Sequence, residues 1–327
     1  MAESESTAVV DAGIDDLGWS NTRAWVERSL RPGDRLCAAT RLRGGWTSQM
    51  RRLDVAGEGE PYSLVLRSFV KRFFVKASLG LLTREADILR LLAETDVPAA
   101  RLHRVDAAAE HCDHPSLLMS LLPGSLRLDG KDIERQTELL ARQMVAIHRL
   151  RVPEGARPRT YEAWTSLERV RLPEHSKQPD VWQRAVEVIR CPPPAFRPCF
   201  LHRDCHPGNV LFTGEGAGLA ITGVVDWVET SWGPADLDVA HCSTALALLH
   251  GVGAGMRLAD HYIAAGGTLS DAPASHLYWR VLDALAFAPD AEKVGEPWRE
   301  LGREDLTSAV LTQRLEEYLQ ALFSQYG

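Results

Sequence analysis

Residues 201–211, which read LHRDCHPGNVL, form the most informative motif of the chain. It places Asp204 five positions before Asn209, in a loop between two short apolar segments. A second carboxylate follows in the stretch VVDW, where Asp226 stands directly after another apolar segment. Short apolar runs broken by polar and glycine residues predict short strands joined by loops. Loops of this kind allow the three polar side chains to converge at the ends of neighbouring strands.

These residue types suit phosphoryl transfer. A carboxylate such as Asp204 can orient an attacking hydroxyl or accept its proton, while Asn209 and Asp226 offer the oxygen ligands that Mg²⁺ prefers. The alternative is structural, with Asp204 and Asn209 as turn residues and His202 as a buried core histidine. The full spacing H-R-D-x-x-x-x-N, followed by an acid after a second strand, favours the catalytic interpretation.

The sequence of the loop, followed by Val-Asp-Trp, resembles that of the aminoglycoside phosphotransferase family, which is similar to choline and related small-molecule kinases. The resemblance extends from about residue 36 into the C-terminal helices. It implies an α+β, two-lobed protein-kinase-like fold, in which an N-terminal antiparallel sheet lobe precedes a larger, mainly helical lobe and ATP binds in the cleft. It also implies that Asp204 is the catalytic base, that His202 braces the catalytic loop, and that Asn209 and Asp226 bind magnesium.

The same family template expects a cation on the third strand and an acid on the following helix. The third predicted strand, residues 62–69, carries Arg67 where the template has Lys, and the next helix carries Glu85. Arginine keeps the charge and the reach of lysine but presents a planar fork. The resemblance implies that Arg67 contacts the nucleotide phosphates and that Glu85 holds it, and an ordinary surface ion pair is the alternative.

Two further segments match the nucleotide site of the template. Gly45, in the stretch GGWTSQ, lies where a turn over the phosphates is expected, although a plain hairpin turn would look the same. Met119 and Leu121 stand just before Pro123-Gly124, in a segment that resembles the family hinge, whose backbone groups meet the adenine. We therefore expect residues 1–122 to form an N-terminal extension and nucleotide-binding lobe, and residues 123–327 a catalytic and acceptor-binding helical lobe.

The pattern of elements agrees with that division. Strands dominate the first third of the chain and helices the remainder, as in α+β proteins. Apolar periodicity predicts helices over residues 79–94, 131–150, 161–170 and 181–189. Asp238, twelve positions after Asp226, is predicted to cap a helix and to order the loop.

Composition excludes several classes of function. The chain of 327 residues has 37 Lys plus Arg against 44 Asp plus Glu, a net charge of −7, which disfavours a nucleic-acid partner or an anionic membrane surface. Its six cysteines contain no C-x-x-C pair, as is typical of reduced thiols in a cytoplasmic protein. The acidic start does not resemble a signal peptide, and no apolar run is long enough to span a membrane. The sequence specifies no oligomeric state.

Two motifs of protein kinases are missing, which narrows the class of acceptor. No Phe-Gly follows Asp226 and no Ala-Pro-Glu comes later, so phosphorylation of a small-molecule hydroxyl is favoured over phosphorylation of a protein. Aminoglycosides and other antibiotics are candidate acceptors, and such a role would confer antibiotic resistance. Acidic residues on the C-terminal helices could face a cationic acceptor: Asp260, Asp271, Asp283, Asp290, Glu292, Glu296 and Glu300.

Two other functions compete with a Mg²⁺- and ATP-dependent phosphotransferase. The compact trio His202, Asp204 and His206, with His241 as a distant fourth ligand, could bind zinc in a metallohydrolase. Arginine at the position of the usual lysine, Arg67, would suit a nucleotide-binding pseudokinase that acts as a regulator. The intact Asp204, Asn209 and Asp226 argue against that second alternative.

Overall fold

The chain divides into two compact units, Met1–Leu122 and Pro123–Gly327. In the first unit, alternating apolar and polar residues form a five-stranded antiparallel sheet. The computed structural model describes residues 19–42, 48–174 and 176–327. In the first unit the sheet order is β1-β2-β3-β5-β4, and its strands are β1 Arg35–Leu42, β2 Gln49–Ala56, β3 Tyr62–Ser68, β4 Leu102–Asp106 and β5 Ser116–Ser120.

Two helices belong to this unit, α1 Ser20–Ser29 and α2 Arg72–Leu92. Trp25 and Val26 of α1 pack with the apolar residues of β2, β3 and β5 in one buried cluster. The helix predicted over residues 79–94 is present, but it begins seven residues earlier. Residues 75–77 of α2 are exposed, so no apolar periodicity marks the start of this helix.

The second unit contains two small antiparallel sheets among seven helices of the described chain. Its strands are β6 Pro198–Leu201, β7 Val210–Thr213, β8 Ala220–Val224 and β9 Ser231–Pro234, and β6 pairs with β9 while β7 pairs with β8. Its helices are α3 Ile133–His148, α4 Pro179–Arg190, α5 Ala235–His250, α6 Val252–Ala264, α7 Pro273–Phe287, α8 Glu292–Glu300 and α9 Ser308–Tyr326.

Helix α5 forms the centre of this unit. Its residues 235–249 are all buried, as expected of a helix whose apolar residues are not confined to one side. Gly255 allows α6 to approach α5 closely, because a Cβ atom there would lie 2.4 Å from the backbone oxygen of Ser243. Polar side chains on α5 are therefore surrounded by protein.

The helix predicted over residues 161–170 is absent. Backbone groups in this region pair with β9 instead: Trp232 donates to the oxygen of Arg159 at 2.8 Å, and Tyr161 donates to the oxygen of Trp232 at 3.1 Å. Hydrogen bonds to a strand edge satisfy the backbone without a helix. The segment that follows is an irregular loop containing Trp164.

Candidate active site

A short, anchored loop, residues 202–209, connects β6 to β7. Leu201 and Val210 flank it and are fully buried, so both of its ends are fixed by packing. Residues Pro207–Asn209 form one 3₁₀ turn, in which the Asn209 N–H donates to the oxygen of His206 at 2.8 Å. The loop therefore presents its polar side chains with little conformational freedom.

Asp238, in the first turn of α5, orders the start of this loop. Its carboxylate accepts hydrogen bonds from the backbone N–H groups of His202 (2.9 Å) and Arg203 (2.8 Å) and from Nε2 of His148 (3.0 Å). Arg203 has a left-handed φ of 74°, a strain of roughly 1–3 kcal/mol for a residue other than glycine, which these charge-assisted bonds offset. Burial raises the pKa of Asp238, but the bond from His148 leaves it below its ordinary value. The predicted helix cap is wrong, whereas the predicted ordering of the loop is confirmed.

His202 uses both ring nitrogens to brace the backbone. Nδ1 accepts from the N–H of Asp204 at 3.1 Å, which assigns the proton to Nε2, and Nε2 donates to the oxygen of Val225 at 3.0 Å. The ring packs 4.3 Å from that of Trp227, and burial lowers its pKa. A neutral His202 therefore joins the 202–209 loop to the end of β8, and neither of its nitrogens is available to a metal.

Asp204 lies at the centre of the candidate site, with its side chain 29% exposed. One carboxylate oxygen, Oδ1, lies 3.0 Å from Nε2 of His241, and the other, Oδ2, accepts from Nδ2 of Asn209 at 2.9 Å. Nε2 of His206 is 3.5 Å from Oδ1. Burial raises the pKa of Asp204, but the hydrogen bond from His241 and the positive charge of that ring hold it well below its usual range. Asp204 is therefore an ionised, oriented and accessible carboxylate.

Asn209 and Asp226 are brought together through the backbone. Asn209 Nδ2 bonds to both the backbone oxygen and the carboxylate of Asp204, which turns its Oδ1 atom away from these acceptors. The N–H of Val225 donates to the oxygen of Asn209 at 3.0 Å, so the chain leaves β8 beside the 202–209 loop. Asp226 then adopts a left-handed φ of 63°. An amide oxygen and a carboxylate at adjoining strand ends fit the hard oxygen ligands of Mg²⁺.

From the sequence alone, His241 of α5 is only a distant candidate ligand for zinc. Its Nδ1 lies 3.1 Å from Oδ1 of Asp283, whose other oxygen accepts from the hydroxyl of Thr244 at 2.7 Å. Burial lowers the pKa of His241, but the carboxylates of Asp283 and Asp204 raise it to about 9. A buried imidazolium therefore connects Asp204 to α7. The signal in the sequence is the spacing of Asp238, His241 and Thr244, which lie three positions apart on a mostly apolar helix.

His206 is a second histidine beside Asp204. Its Nδ1 accepts from the N–H of Gly208 at 3.0 Å, and burial lowers its pKa to about 4, so it is neutral with its proton on Nε2. A Cβ atom on Gly208 would lie 2.6 Å from the His206 ring, so glycine is required there. One potential ligand atom from each of Asp204, His206 and His241 lies within 4.8 Å of the others. Within the described residues both nitrogens of His241 already face carboxylates, so this trio does not have the free imidazoles that zinc requires.

An aromatic residue from the irregular loop completes the surroundings of His241. The rings of Trp164 and His241 meet edge to face, with their centroids 4.8 Å apart. The Arg203 guanidinium lies 4.5 Å from the centre of the Trp164 ring. Lys293, of α8, places Nζ 5.8 Å from the same ring and 4.7 Å from that of Phe287. We call Trp164, Arg203, His241, Phe287 and Lys293 the Trp164 cluster.

In the first unit, the predicted pairing of Arg67 with Glu85 is confirmed. Nη1 of Arg67 lies 2.9 Å and 3.0 Å from the two carboxylate oxygens of Glu85, and its Nε donates to the hydroxyl of Ser48 at 3.1 Å. Both charged residues are buried, which excludes an ordinary surface pair. Contact between Arg67 and a nucleotide stays a prediction.

The other predicted nucleotide contacts lie at the end of β5. Met119 is buried in that strand opposite Val65 of β3. Leu121 follows β5, and its N–H donates to the oxygen of Ser63 at 3.3 Å, which engages one of the two backbone groups that could meet an adenine. Gly45 lies outside the described residues.

The acidic residues predicted to face a cation do not gather at Asp204. Asp283 is bonded to His241 and Thr244, and Glu292 pairs with Arg299. Asp290 accepts from the N–H of Glu292 at 3.2 Å. The remaining four lie on the surface: Asp260, Asp271, Glu296 and Glu300. The charged side chain in contact with Asp204 is instead the cation His241.

Comparison with known proteins finds similarity over most of the chain. Residues 38–284 match the sequence model of the phosphotransferase enzyme family. No curated protein sequence matches the chain. Within the described residues, every helix is too short or too polar to cross a lipid bilayer.

Several solved structures share the fold. A provisionally assigned aminoglycoside phosphotransferase of Ralstonia eutropha JMP134 is 15% identical with a TM-score of 0.63, covering 94% of this chain and 97% of its own. The GDP and kanamycin complex of APH(2")-IIia is 15% identical with a TM-score of 0.58, over 93% and 97% of the two chains. Spectinomycin phosphotransferase, in complex with ADP and spectinomycin, is 12% identical with a TM-score of 0.52, over 89% and 93%. The predicted α+β, protein-kinase-like fold is confirmed.

Proposed function

Because the chain belongs to the phosphotransferase enzyme family, we propose that it transfers the γ-phosphoryl group of Mg²⁺-bound ATP to a hydroxyl group of a small molecule. One observation carries the proposal: Asp204 and Asn209 are joined by a 2.9 Å hydrogen bond within the 202–209 loop. A backbone hydrogen bond from Val225 to Asn209 then joins this loop to the residue before Asp226. This arrangement unites a hydroxyl-orienting carboxylate with two candidate magnesium ligands in one rigid element.

In the proposed reaction the acceptor hydroxyl donates a hydrogen bond to Asp204. Its oxygen forms a bond to the γ-phosphorus while the bond from that phosphorus to the bridging oxygen of ADP breaks, and the hydroxyl proton passes to Asp204 and then to water. The low pKa of Asp204 makes it a weak base. A loose transition state requires little proton transfer before the phosphorus–oxygen bond has formed, so the main role of Asp204 is to orient the nucleophile.

Magnesium would be held by Oδ1 of Asn209 and the carboxylate of Asp226. Bound there, it would neutralise the charge of the phosphate oxygens. The hydrogen bonds of Asn209 Nδ2 to Asp204 fix the amide orientation and hence the direction of its oxygen. His202 supports the same arrangement through the oxygen of Val225.

Arg67 is the candidate cation for the nucleotide phosphates. Its pairing with Glu85 and its bond to Ser48 hold the guanidinium in one position. Related structures contain ADP in one case and GDP in another, so both triphosphates belong in the test. Met119 and Leu121 are the proposed backbone contacts for the base, with the Leu121 carbonyl as the group that the hydrogen bond to Ser63 leaves available.

The decisive experiment measures acceptor-dependent release of nucleoside diphosphate. Purified full-length protein is incubated with Mg²⁺, ATP or GTP and a library of hydroxyl compounds that includes spectinomycin, kanamycin, other antibiotics, choline-like alcohols, sugars and hydroxy acids. We expect at least one acceptor to gain a phosphate by mass spectrometry. Tight, Mg²⁺-dependent ATP binding without transfer to any compound would contradict the proposal and favour a pseudokinase.

A further inference from the structure

We propose that the acceptor carries an oxyanion, a carboxylate or a phosphate, which binds Lys293 beside the Asp204 carboxylate. This inference rests on the function proposed above, because it names the acceptor class of the same site. It differs from what the acidic composition suggests, which is a cationic acceptor.

The acceptor hydroxyl must approach Asp204, whose carboxylate is already paired with a cation. His241 lies 3.0 Å from Asp204, and two carboxylates keep it protonated at neutral pH. Asp283, an acid of the C-terminal helices, is already bonded to His241 and Thr244. An ammonium group on the acceptor would therefore compete with an imidazolium for the same carboxylates.

Lys293 supplies a cation with no counterion of its own. Its Nζ donates to the backbone oxygen of Ala286 and lies over the rings of Phe287 and Trp164, and it forms no ion pair within the described part of the chain. Partial desolvation lowers the pKa of Lys293, while the charges of Asp283 and Asp204 act in the opposite direction. The residue is nevertheless exposed, so a ligand can reach it.

The third cation of the Trp164 cluster is Arg203. Its guanidinium stacks on the Trp164 ring, Nη2 donates to the backbone oxygen of Glu162 at 3.2 Å, and the buried Nη1 atom has no hydrogen-bond partner among the described residues. Arg203, His241 and Lys293 thus converge on one indole ring. An oxyanion next to that ring would gain attraction from all three, whereas a polycation would be repelled by them.

The acids near these cations already have partners: Asp204 and Asp283 share His241, and Asp238 accepts from the N–H groups of His202 and Arg203. Glu229 pairs with Arg159 at 2.6 Å. Glu162 is exposed and contributes its backbone oxygen, not its carboxylate, to Arg203. Glu162→Gln therefore serves as a check, because a cation-binding role for this carboxylate would appear as lost activity on ammonium acceptors alone.

The test uses sets of acceptors that share a hydroxyl group and differ in the charge of one neighbouring group. One triad is glycerate, glycerol and aminopropanediol, and a second is hydroxymethyl benzoate with the corresponding amide and benzylamine; any hydroxyl compound found in the library is extended to a triad in the same way. Kinetic constants are measured on the wild type, Lys293→Ala, Lys293→Glu and the control Lys131→Ala, which removes an exposed lysine outside the Trp164 cluster.

We expect the anionic member of a triad to have a kcat/KM about tenfold above that of the ammonium member, as one charge-assisted contact would give. Lys293→Ala should remove that preference through KM, and Lys293→Glu should reverse it, while Lys131→Ala behaves as the wild type. Equal or better turnover of ammonium acceptors would overturn the inference and leave the phosphotransferase function intact. An equal loss on all members in Lys293→Ala would also overturn it, because Lys293 would then act on the phosphoryl group. Absence of transfer to every acceptor would overturn the proposed function, and this inference with it.

Discussion

Nε2 of His241 lies 3.0 Å from Oδ1 of Asp204, and because Nδ1 of the same ring faces Asp283 at 3.1 Å, both nitrogens donate and the ring is an imidazolium. Asp204 is thereby restrained on one oxygen by α5 and on the other by Asn209. The residue proposed to orient the acceptor is thus connected to the buried centre of the second unit. Reactivity and stability of this unit should consequently depend on the same histidine.

The first prediction concerns stability between pH 6.5 and 9. The folded-state pKa of His241, about 9, lies above its ordinary value of 6.5, so the stabilisation by the charged ring is complete below pH 6.5 and is lost as the pH rises through 9. A shift of this size corresponds to about 3 kcal/mol in the free energy of unfolding. Urea denaturation of the wild type at pH 6, 7.5 and 9.5 should show this decline, and His241→Gln should be less stable and lack most of it.

His206 provides a contrast within the same site. Burial lowers its pKa to about 4, so its contribution to stability is present above pH 6.5 and is lost as the pH falls toward 4.

An unfolding free energy that is independent of pH from 6.5 to 9 in the wild type, or a decline that persists unchanged in His241→Gln, would contradict the assignment of His241 as an imidazolium.

A second prediction separates nucleophile orientation from nucleotide binding. Asp204→Ala removes the carboxylate that meets the acceptor but neither proposed magnesium ligand, and Asn209 keeps its bond to the backbone oxygen of residue 204. The kcat value should therefore fall by about 10²–10⁴, while calorimetry gives a little-changed affinity for Mg-ATP. Asp260→Ala, which removes an exposed acid of α6, is the control. Full activity of Asp204→Ala would disprove the assignment.

The third prediction concerns magnesium. Asp226→Ala should abolish the Mg²⁺ dependence of ATP binding, because a carboxylate in its left-handed turn after β8 is replaced by a methyl group. Calorimetric titration of ATP with and without Mg²⁺ measures this directly. If the variant kept the same Mg²⁺ dependence as the wild type, Asp226 would not be a ligand.

The sequence predicted the 202–209 loop well, because the pattern there is contiguous and each of its residues acts within a few positions of the others. Asp204 and Asn209 are five positions apart and bonded, and His202 reaches the end of the next hairpin. The pairing of Arg67 with Glu85 followed from the family template rather than from any local pattern. Both cases rely on short-range or template information.

His241 and Trp164 could not be assigned in this way. They meet Asp204 and Arg203 across long sequence separations, which are set by how α5 packs under the loop and by the pairing of residues 159–161 with β9. Periodicity predicted a helix over residues 161–170, but strand-edge hydrogen bonds outweighed that weak propensity. The positive surroundings of Asp204 thus emerged only from tertiary packing.

A fourth prediction compares two buried acids in the first turn of α5. Asp238 bonds the N–H groups of His202 and Arg203, whereas Asp236 accepts from the N–H of Ser270 at 3.2 Å, away from the loop. Asp238→Ala leaves two buried N–H donors unsatisfied and should lower the free energy of unfolding by roughly 2–4 kcal/mol, whereas Asp236→Ala frees one part-buried donor and should lower it less. Urea denaturation provides the comparison.

Only Asp238→Ala should also impair the reaction at temperatures where both variants remain folded. Without the carboxylate, the left-handed conformation of Arg203 loses the hydrogen bond that offsets its strain, and Asp204 is displaced from the acceptor. We expect kcat to fall by about 10²-fold in Asp238→Ala, since a misplacement near 1 Å has that effect, and to change little in Asp236→Ala. Equal kcat values for the two folded variants would show that Asp238 supports the fold alone and that other contacts position the 202–209 loop.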